Sequence, residues 1–229
     1  MADRRPLGFG HRDAPRTAAP VVTEPGLMDD RAAAALLPER PARGHKGTFG
    51  KVLAIAGSLD YAGAALLVCR AAGRAGAGLV TLAVPESLQP LFAAKVVEAT
   101  TMALPEDDVE EIDPEPAMAR ILDHEHDAIV VGPGLRPGLA TAELVRMLLT
   151  GSDEPSPAPI VLDAEALRSM ATLGDWWTRT ARPSVLTPHP GEFDRLRSGS
   201  GLEPDVAQDL AADDAARRAA AVAAAAAWG

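Results

Sequence analysis

Residues 45–85 constrain the fold of this chain more than any other stretch. Residues 52–56 form a short apolar run without alternation, which is typical of a parallel strand covered on both faces. Small and apolar residues at 62–74 predict a helix that two glycines end, and residues 79–84 are a second apolar strand. The stretch therefore predicts one right-handed βαβ unit. Its first turn, residues 57–63, lies where open α/β sheets bind their ligands.

Beyond this unit, apolar strands and helical segments continue to alternate. Strands are expected at residues 96–104, 128–131, 160–162 and 185–186. Helices are expected at residues 28–37, 86–94, 117–124, 141–149 and 205–228, with an acidic loop at 106–116. This alternation predicts a doubly wound, mostly parallel α/β sheet with helices on both faces. We expect one domain at residues 45–229, preceded by an N-terminal arm, residues 1–44, that carries one short helix.

The composition argues against several kinds of partner and location. The 229 residues carry a formal net charge of −10, which would repel nucleic acid and anionic membrane surfaces. The single cysteine, Cys69, excludes an internal disulfide and fits a reducing compartment. No apolar segment approaches the ~20 residues of a membrane span, and the N-terminus lacks the apolar core of a signal peptide. We therefore expect a cytoplasmic protein without a nucleic-acid or membrane partner.

Four of the expected strands end in polar or glycine-rich turns, at residues 57–63, 132–134, 163–165 and 187–192. The carboxyl ends of parallel strands share one edge of a sheet, so these turns should converge on one crevice. The first turn matches neither the P-loop nor the GxGxxG pattern. Its small residues would nevertheless let a ligand approach the backbone. A tight turn without a ligand explains this stretch equally well.

Three of these turns contain candidates for ligand contact. Gly132 and Gly134 flank a proline, so their turn exposes backbone amides, although a plain turn has the same sequence. Asp163 could accept hydrogen bonds from ribose hydroxyls, hold a metal through water, or cap the next helix. His189 lies between two prolines, and such a rigid loop favours an imidazole aimed at a ligand over a core histidine. Glu192 could instead start the following helix.

Five motifs in this order resemble the ADP-dependent NAD(P)H-hydrate dehydratases of the ribokinase-like superfamily. They are HKGTFGKVLAIAGSLDYAGAA, GAGLVTLAVPE, VVGPGL, VLDAEAL and VLTPHPGEFDRL. The resemblance runs from His45 to about Leu202, and five ordered motifs are far more specific than any one of them.

The resemblance implies a repair enzyme that dehydrates the S-form of NADHX and NADPHX to NADH and NADPH. ADP would be the co-substrate, used with Mg²⁺ to phosphorylate the added hydroxyl so that phosphate can leave. The family contacts its substrate through the turn that matches residues 62–64, the GPG turn and the histidine of the TPHPGE loop. Carried over to this sequence, these contacts are Ala64, Gly134, with Gly132 beside it, and His189. Gly63 of the same turn and Asp163 at its strand end complete the expected substrate site. The family also commonly forms homotetramers and is linked functionally to an NAD(P)HX epimerase.

Three departures from the family pattern qualify this expectation. Arg136 stands where glycine is usual, and Glu165 stands where DADAL is common. Family members also continue with a Lys-Gly strand that binds the adenine nucleotide and a GTGD turn with the catalytic aspartate. The present sequence stops at Gly229, before either. We therefore expect a C-terminally incomplete domain, assign no catalytic or ADP-binding residue, and expect turnover only from a longer form.

Two other functions stay open at the level of sequence. One is a catalytically inactive fragment that binds dinucleotides or forms oligomers. The other is a ribokinase-like kinase of a small vitamin precursor, against which the HKG and TPHPGE motifs count.

Overall fold

The computed structural model describes residues 29–37, 41, 43–108, 110–151, 158–198, 200, 202 and 209–229. Its strands are β1 (Lys51–Ile55), β2 (Leu79–Pro85), β3 (Thr100–Leu104), β4 (Glu106–Asp108), β5 (Glu111–Ile112), β6 (Ala128–Val131), β7 (Ile160–Leu162) and β8 (Ser184–Leu186). Its helices are α1 (Asp30–Leu36), α2 (Ala62–Ala75), α3 (Gln89–Ala93), α4 (Pro114–Asp123), α5 (Leu139–Thr150), α6 (Glu165–Ala171), α7 (Pro190–Arg197) and α8 (Asp214–Trp228). Strands β6 and β7 have the bounds that the sequence predicts.

Six strands form one parallel sheet in the described part of the chain. Their order is β3-β2-β1-β6-β7-β8, and every neighbouring pair is parallel. The chain adds β2 and β3 on one side of β1, and then β6, β7 and β8 on the other. The strand order therefore reverses between β1 and β6. This is the doubly wound α/β fold that the sequence predicts, and such sheets bind ligands at the reversal point, outside the carboxyl ends of the strands.

The two faces of the sheet bury separate apolar clusters, because side chains alternate along each strand. One face packs under α2 and α3, and its cluster includes Ala54, Ala56, Ala65, Cys69 and Phe92. The other face packs under α4, α5 and α6, and its larger cluster includes Leu53, Met118, Ile129, Leu144 and Leu167. Helices thus cover both faces, as expected. Burial also raises the pKa of the Cys69 thiol to about 11, so this cysteine is a packing residue.

The strand expected at residues 96–104 is shorter than predicted, because β3 begins at Thr100. The N–H groups of Lys95 and Val96 both donate to the carbonyl oxygen of Phe92, at 2.9 Å, so the backbone is still turning as it leaves α3. Val97 is 93% exposed. The apolar composition therefore predicted a strand at a place where the backbone bends instead.

The acidic loop expected at residues 106–116 contains a short antiparallel pair, β4 and β5, and the start of α4. Ile112 is buried and anchors this pair to the core. The carboxylate of Glu106 accepts hydrogen bonds from the N–H groups of Ser87 and Glu110, at 3.0 and 2.8 Å. Pro114 begins α4, a position at which the missing N–H of proline costs nothing.

The two terminal helices also differ from their expected bounds. Helix α8 begins at Asp214, whereas a helix was expected from residue 205; residues 205–208 lie outside the described part. Asp213 caps α8, and the hydrogen bonds that its carboxylate accepts from the N–H groups of Ala216 and Ala215 lower its pKa. The helix expected at 28–37 is α1, and residues 1–28 of the N-terminal arm lie outside the described part.

One backbone position between β7 and α6 is strained. Ala164 has φ 49° and ψ −115°, a conformation that favours glycine. Its neighbours are fixed, because the N–H of Asp163 donates to Val131 O at 3.2 Å and the carbonyl oxygen of Asp163 accepts from the Ala166 N–H at 3.1 Å. Strain of this kind costs about 1–3 kcal/mol and persists only where the surrounding structure imposes it.

We expect Ala164→Gly to raise the free energy of unfolding by about 1 kcal/mol. Relief of about 1–3 kcal/mol of strain should exceed the about 0.4–1 kcal/mol that added flexibility of the unfolded chain costs. Urea unfolding followed by circular dichroism measures the change. The control is Ala119→Gly on the exposed side of α4, which should lower the free energy of unfolding by about 0.5–1 kcal/mol. A destabilised Ala164→Gly variant would contradict the strain.

Candidate functional site

The turns after β1 and β6 are in direct contact at the point where the strand order reverses. The Gly57 N–H donates to the carbonyl oxygen of Pro133 at 2.9 Å, and the Gly132 N–H donates to that of Ile55 at 3.1 Å. Gly57 has φ +89°, and a Cβ atom there would lie 2.8 Å from both Ala65 Cβ and Phe92 Cζ. The absence of a side chain therefore lets the first turn close over α2 and α3 and meet the second turn.

Gly134 brings the second turn against the beginning of α2. It has φ +71°, and a Cβ atom there would lie 2.7 Å from the carbonyl oxygen of Tyr61 and 2.9 Å from Ala64 Cβ. Two of the predicted site residues, Gly134 and Ala64, are thus adjacent. Gly63 precedes Ala64 on the exposed side of α2, and apart from its chain neighbours and the backbone of its own helix, no described atom lies within 4 Å of the place where its Cβ would stand.

Gly132 brings the second turn against the turn after β7. It has φ +118°, and a Cβ atom there would lie 1.9 Å from the carbonyl oxygen of Asp163 and 2.7 Å from Ala166 Cβ. The sequence left open that Asp163 caps the next helix. That alternative is wrong, because Ala164 is the N-cap of α6 and no described side chain caps that helix. Asp163 stays at the edge of the sheet, partly buried.

Glu165 follows the strained Ala164 at the same edge. Burial raises the pKa of its carboxyl, an effect that the positive charge of Arg168 opposes across a distance of 3.7 Å. The residue that replaces the usual aspartate of the family motif is therefore a partly desolvated carboxyl group beside the candidate site.

His189 is the N-cap of α7, and Glu192 completes a capping box. The imidazole Nδ1 accepts a hydrogen bond from the Gly191 N–H at 3.1 Å, and the Glu192 carboxylate accepts one from the His189 N–H at 3.0 Å. Because Nδ1 is an acceptor, a neutral ring carries its proton on Nε2, which lies 3.3 Å from Glu192 Oε1. Glu192 is 7% exposed, whereas the imidazole is 64% exposed. The ring is thus oriented by its loop and open to solvent.

His189 lies at the same edge of the sheet as the three turns already described. Strand β8 pairs in parallel with β7, and the Thr187 N–H donates to the carbonyl oxygen of Leu162 at 3.2 Å. We call residues 57–64, 132–134, 163–165 and 187–189 the carboxyl rim. Strands β1 and β8 are three strand spacings apart, or about 14 Å. The rim brings Ala64, Gly134, Gly132 and Asp163 into contact, and a ligand that also reached His189 would have to be elongated.

A second histidine repeats this capping arrangement at the opposite edge of the sheet. His45 Nδ1 accepts from the Gly47 N–H at 3.1 Å, and Thr48 completes that capping box. His45 precedes β1, so it lies at the amino edge of the sheet, away from the carboxyl rim.

Sequence reasoning missed two contributions to the rim. The backbone strain at Ala164 has no sequence signal, because alanine is not a residue expected at positive φ. The capping role of Glu192 does have one, since its spacing from His189 is that of a capping box.

No group of three or more His, Cys, Asp or Glu side chains among the described residues could hold a metal ion. None of the helices in that part of the chain is long and apolar enough to cross a membrane.

Comparison with known sequences supports one family. The sequence model of the NAD(P)H-hydrate dehydratase family matches residues 52–225. The chain is 44% identical over 163 residues to the bifunctional NAD(P)H-hydrate repair enzyme Nnr of Moorella thermoacetica, which covers 70% of this chain and 30% of that protein. It is 36% identical over 162 residues to the ADP-dependent (S)-NAD(P)H-hydrate dehydratase of Bacillus subtilis, which covers 71% of this chain and 52% of that protein.

Comparison with solved structures agrees. The ADP/ATP-dependent NAD(P)H-hydrate dehydratase of Bacillus subtilis, co-crystallised with ATP and Mg²⁺, matches with a TM-score of 0.55 and 34% identity, over 73% of this chain and 54% of that one. A hypothetical protein from Streptococcus mutans matches with a TM-score of 0.63 and 26% identity, over 85% of this chain and 63% of that one.

The chain spans about half the length of the Bacillus subtilis dehydratase and about a third of the bifunctional relatives it matches. The family match covers most of the sequence, including all four turns of the carboxyl rim. This chain therefore belongs to the NAD(P)H-hydrate dehydratase family.

Proposed function

We propose that this chain supplies the substrate-binding part of an ADP-dependent dehydratase that returns the S-form of NADHX and NADPHX to NADH and NADPH. The observation that carries the proposal is the contact between the turns after β1 and β6. It places Ala64 against Gly134 at the reversal point of the sheet, where such folds bind ligands. The name of the Bacillus subtilis relative, an ADP-dependent (S)-NAD(P)H-hydrate dehydratase, states this activity.

The carboxyl rim suits an elongated dinucleotide. Gly63, exposed at the beginning of α2, leaves backbone accessible to a phosphate or a ring. Gly134 packs against the same turn and lets Ala64 approach it closely. We assign to Asp163 the role of accepting hydrogen bonds from ribose hydroxyls. We assign to His189, whose imidazole is exposed, a hydrogen bond from Nε2 to the far end of the ligand, beside the contact of Nε2 with Glu192 Oε1.

The chemistry proposed is a phosphorylation followed by an elimination. The terminal phosphoryl group of ADP passes to the added hydroxyl of the nicotinamide ring, which leaves AMP. Loss of that phosphate and of a neighbouring ring proton restores the double bond, so the hydrate loses the elements of water. Phosphoryl transfer depends mainly on positioning and charge stabilisation. No residue of this chain is assigned to Mg²⁺ or to ADP.

The setting of this activity is also a proposal. A cytoplasmic location agrees with the single buried cysteine. Relatives such as the Moorella thermoacetica enzyme are bifunctional by name, which supports a functional link with an NAD(P)HX epimerase. A homo-oligomer, a tetramer in the family, is proposed on the resemblance alone.

The first test replaces each of the two capping histidines by asparagine. Asparagine is a good N-cap, so its side-chain oxygen can take the place of Nδ1 and preserve the local fold. His189→Asn should weaken binding of (S)-NADPHX about tenfold, because one hydrogen bond to the ligand is lost. His45→Asn, at the amino edge, is the matched control and should bind like the unchanged chain. Isothermal titration calorimetry measures both affinities, and equal affinities for the two variants would contradict the role of His189.

The second test compares two glycines of α2. Cβ atoms on Gly63 and Gly73 would both stand in open space among the described residues. Alanine at either position should therefore stabilise the helix by about 0.5–1 kcal/mol. Gly63 lies at the rim and Gly73 at the far end of the helix. Only Gly63→Ala should weaken (S)-NADPHX binding, because the added methyl group keeps the ligand from the backbone. Thermal unfolding and calorimetry read the two effects separately, and unchanged binding by Gly63→Ala would remove Gly63 from the site.

A further inference from the structure

A cavity lies between α2 and the segment that joins α3 to β3. Its volume is about 350 Å³, which is within the range of about 300–1,000 Å³ that small-molecule sites in proteins occupy. Helix α2 begins at the carboxyl rim, whereas this cavity extends along the helix to Arg74 in its last turn. None of the residues that line the cavity belongs to the rim. The cavity is therefore separate from the candidate substrate site.

The floor of the cavity is apolar and continuous with the hydrophobic core. Cys69 is 6% exposed, and Leu66, Val96 and Ala99 are half-buried against the apolar cluster under α2 and α3. Apolar side chains that are only half covered still have surface in contact with water, and an apolar ligand would remove that surface from water. The floor therefore suits the apolar part of a ligand.

Three cations surround this apolar floor. Arg70 and Arg74 are four residues apart, so they lie on the same side of α2, and Lys95 lines the cavity from the segment before β3. All three are exposed, and none has an ion-pair partner among the described residues. Glu98 contributes one negative charge to the same walls. The cavity is thus positive in a chain whose formal net charge is −10, and such a site attracts an anion.

We propose that this cavity binds an amphipathic organic anion, a small molecule with an apolar body and one carboxylate or phosphate group. The apolar body packs on Leu66, Val96 and Ala99, and the anionic group accepts hydrogen bonds from Arg70 and Arg74. Guanidinium groups bind carboxylates and phosphates with the same bidentate geometry. A fatty-acid carboxylate and a phosphate monoester therefore share the chemistry that the cavity recognises. This site is independent of the proposed dehydratase function.

Other anionic partners fit the cavity less well. A bare inorganic anion would leave the apolar floor uncovered, and exposed cations hold a hydrated ion only weakly. A nucleic acid or an anionic membrane would be repelled by the net negative charge of the whole chain. A small molecule enters the cavity without bringing a large charged surface near the rest of the protein.

The test labels the whole 229-residue chain with ¹⁵N and follows its amide resonances during addition of decanoate below its micelle concentration. Decanoate should shift the resonances of α2 and of residues 95–99 and leave those of α8 unchanged. The comparison with α8 is needed because an apolar chain alone could enter the larger cavity, of about 610 Å³, beside that helix.

Three further molecules separate the contributions of the two parts of the ligand. Decanol, the neutral molecule with the same chain, and inorganic phosphate, which lacks the chain, should each bind at least about tenfold more weakly than decanoate. Decyl phosphate should bind at the same residues as decanoate. The tighter of these two anions identifies the head group that the site prefers.

The variant Arg70→Gln/Arg74→Gln should bind decanoate about tenfold more weakly, because the head group loses its charge-assisted hydrogen bonds. Arg31→Gln/Arg120→Gln is the matched control. It removes the same charge at exposed positions of α1 and α4 that do not line the cavity, and it should bind like the unchanged chain. Glutamine and arginine have similar helix propensities, so both variants should fold.

Three results would overturn the proposal. The first is that decanoate shifts only the resonances of α8 or none at all. The second is that the two double variants bind decanoate equally. The third is that decanol or inorganic phosphate binds as tightly as decanoate. The first and third results are measured on the unchanged chain, so they decide the question even if Arg70→Gln/Arg74→Gln does not fold.

Discussion

The hydrogen bond from the Gly57 N–H to the carbonyl oxygen of Pro133 joins the two turns on which the carboxyl rim depends. These turns are far apart in sequence, and they meet because β6 returns to pair with β1 on the side opposite β2. The reciprocal bond from Gly132 to Ile55 fixes the same junction one residue away. Three glycines at positive φ make this junction possible, since backbone or methyl groups already occupy the places of their missing side chains. The rim is therefore set by backbone packing before any ligand contact is made.

Much of the fold was predictable because the residues that follow the central strands mark where those strands end. β6 and β7 are apolar runs that end at a glycine and an aspartate, and both have their predicted bounds. Errors arose where the composition of a segment does not match the burial of its side chains. Val97 is apolar but 93% exposed, so the strand that follows it was predicted to begin too early. The alanine-rich end of the chain contains no residue that stops a helix, so only the cap at Asp213 defines where α8 begins. The acidic strands β4 and β5 escaped detection because their side chains have low strand propensity.

The candidate site was predictable to the extent that it follows from topology. Turns after parallel strands must share an edge, and this places Gly134 beside Ala64 and Gly132 beside Asp163. The backbone conformation and hydrogen bonds of individual residues were harder to predict from the sequence. Alanine is an unexpected residue for the strained conformation at position 164, so nothing in the sequence marks it. The spacing between His189 and Glu192 matches a capping box, but histidine is not the usual residue at its first position. The sequence therefore suggested that Glu192 could start a helix, as it does in α7, but it did not predict that His189 caps that helix.

His45 and His189 separate the contribution of local sequence from that of topology. Each is followed two residues later by a glycine whose N–H donates to its Nδ1 at 3.1 Å. In each case a Cβ atom on that glycine would lie 3.2 Å from the Cε1 atom of the ring, so the glycine makes room for the imidazole. The local chemistry is therefore nearly the same. One histidine precedes β1 and the other follows β8, and in a parallel sheet this difference alone assigns them to opposite edges. A His-x-Gly motif thus builds an oriented imidazole, and the strand that it follows or precedes decides whether that imidazole can meet a ligand.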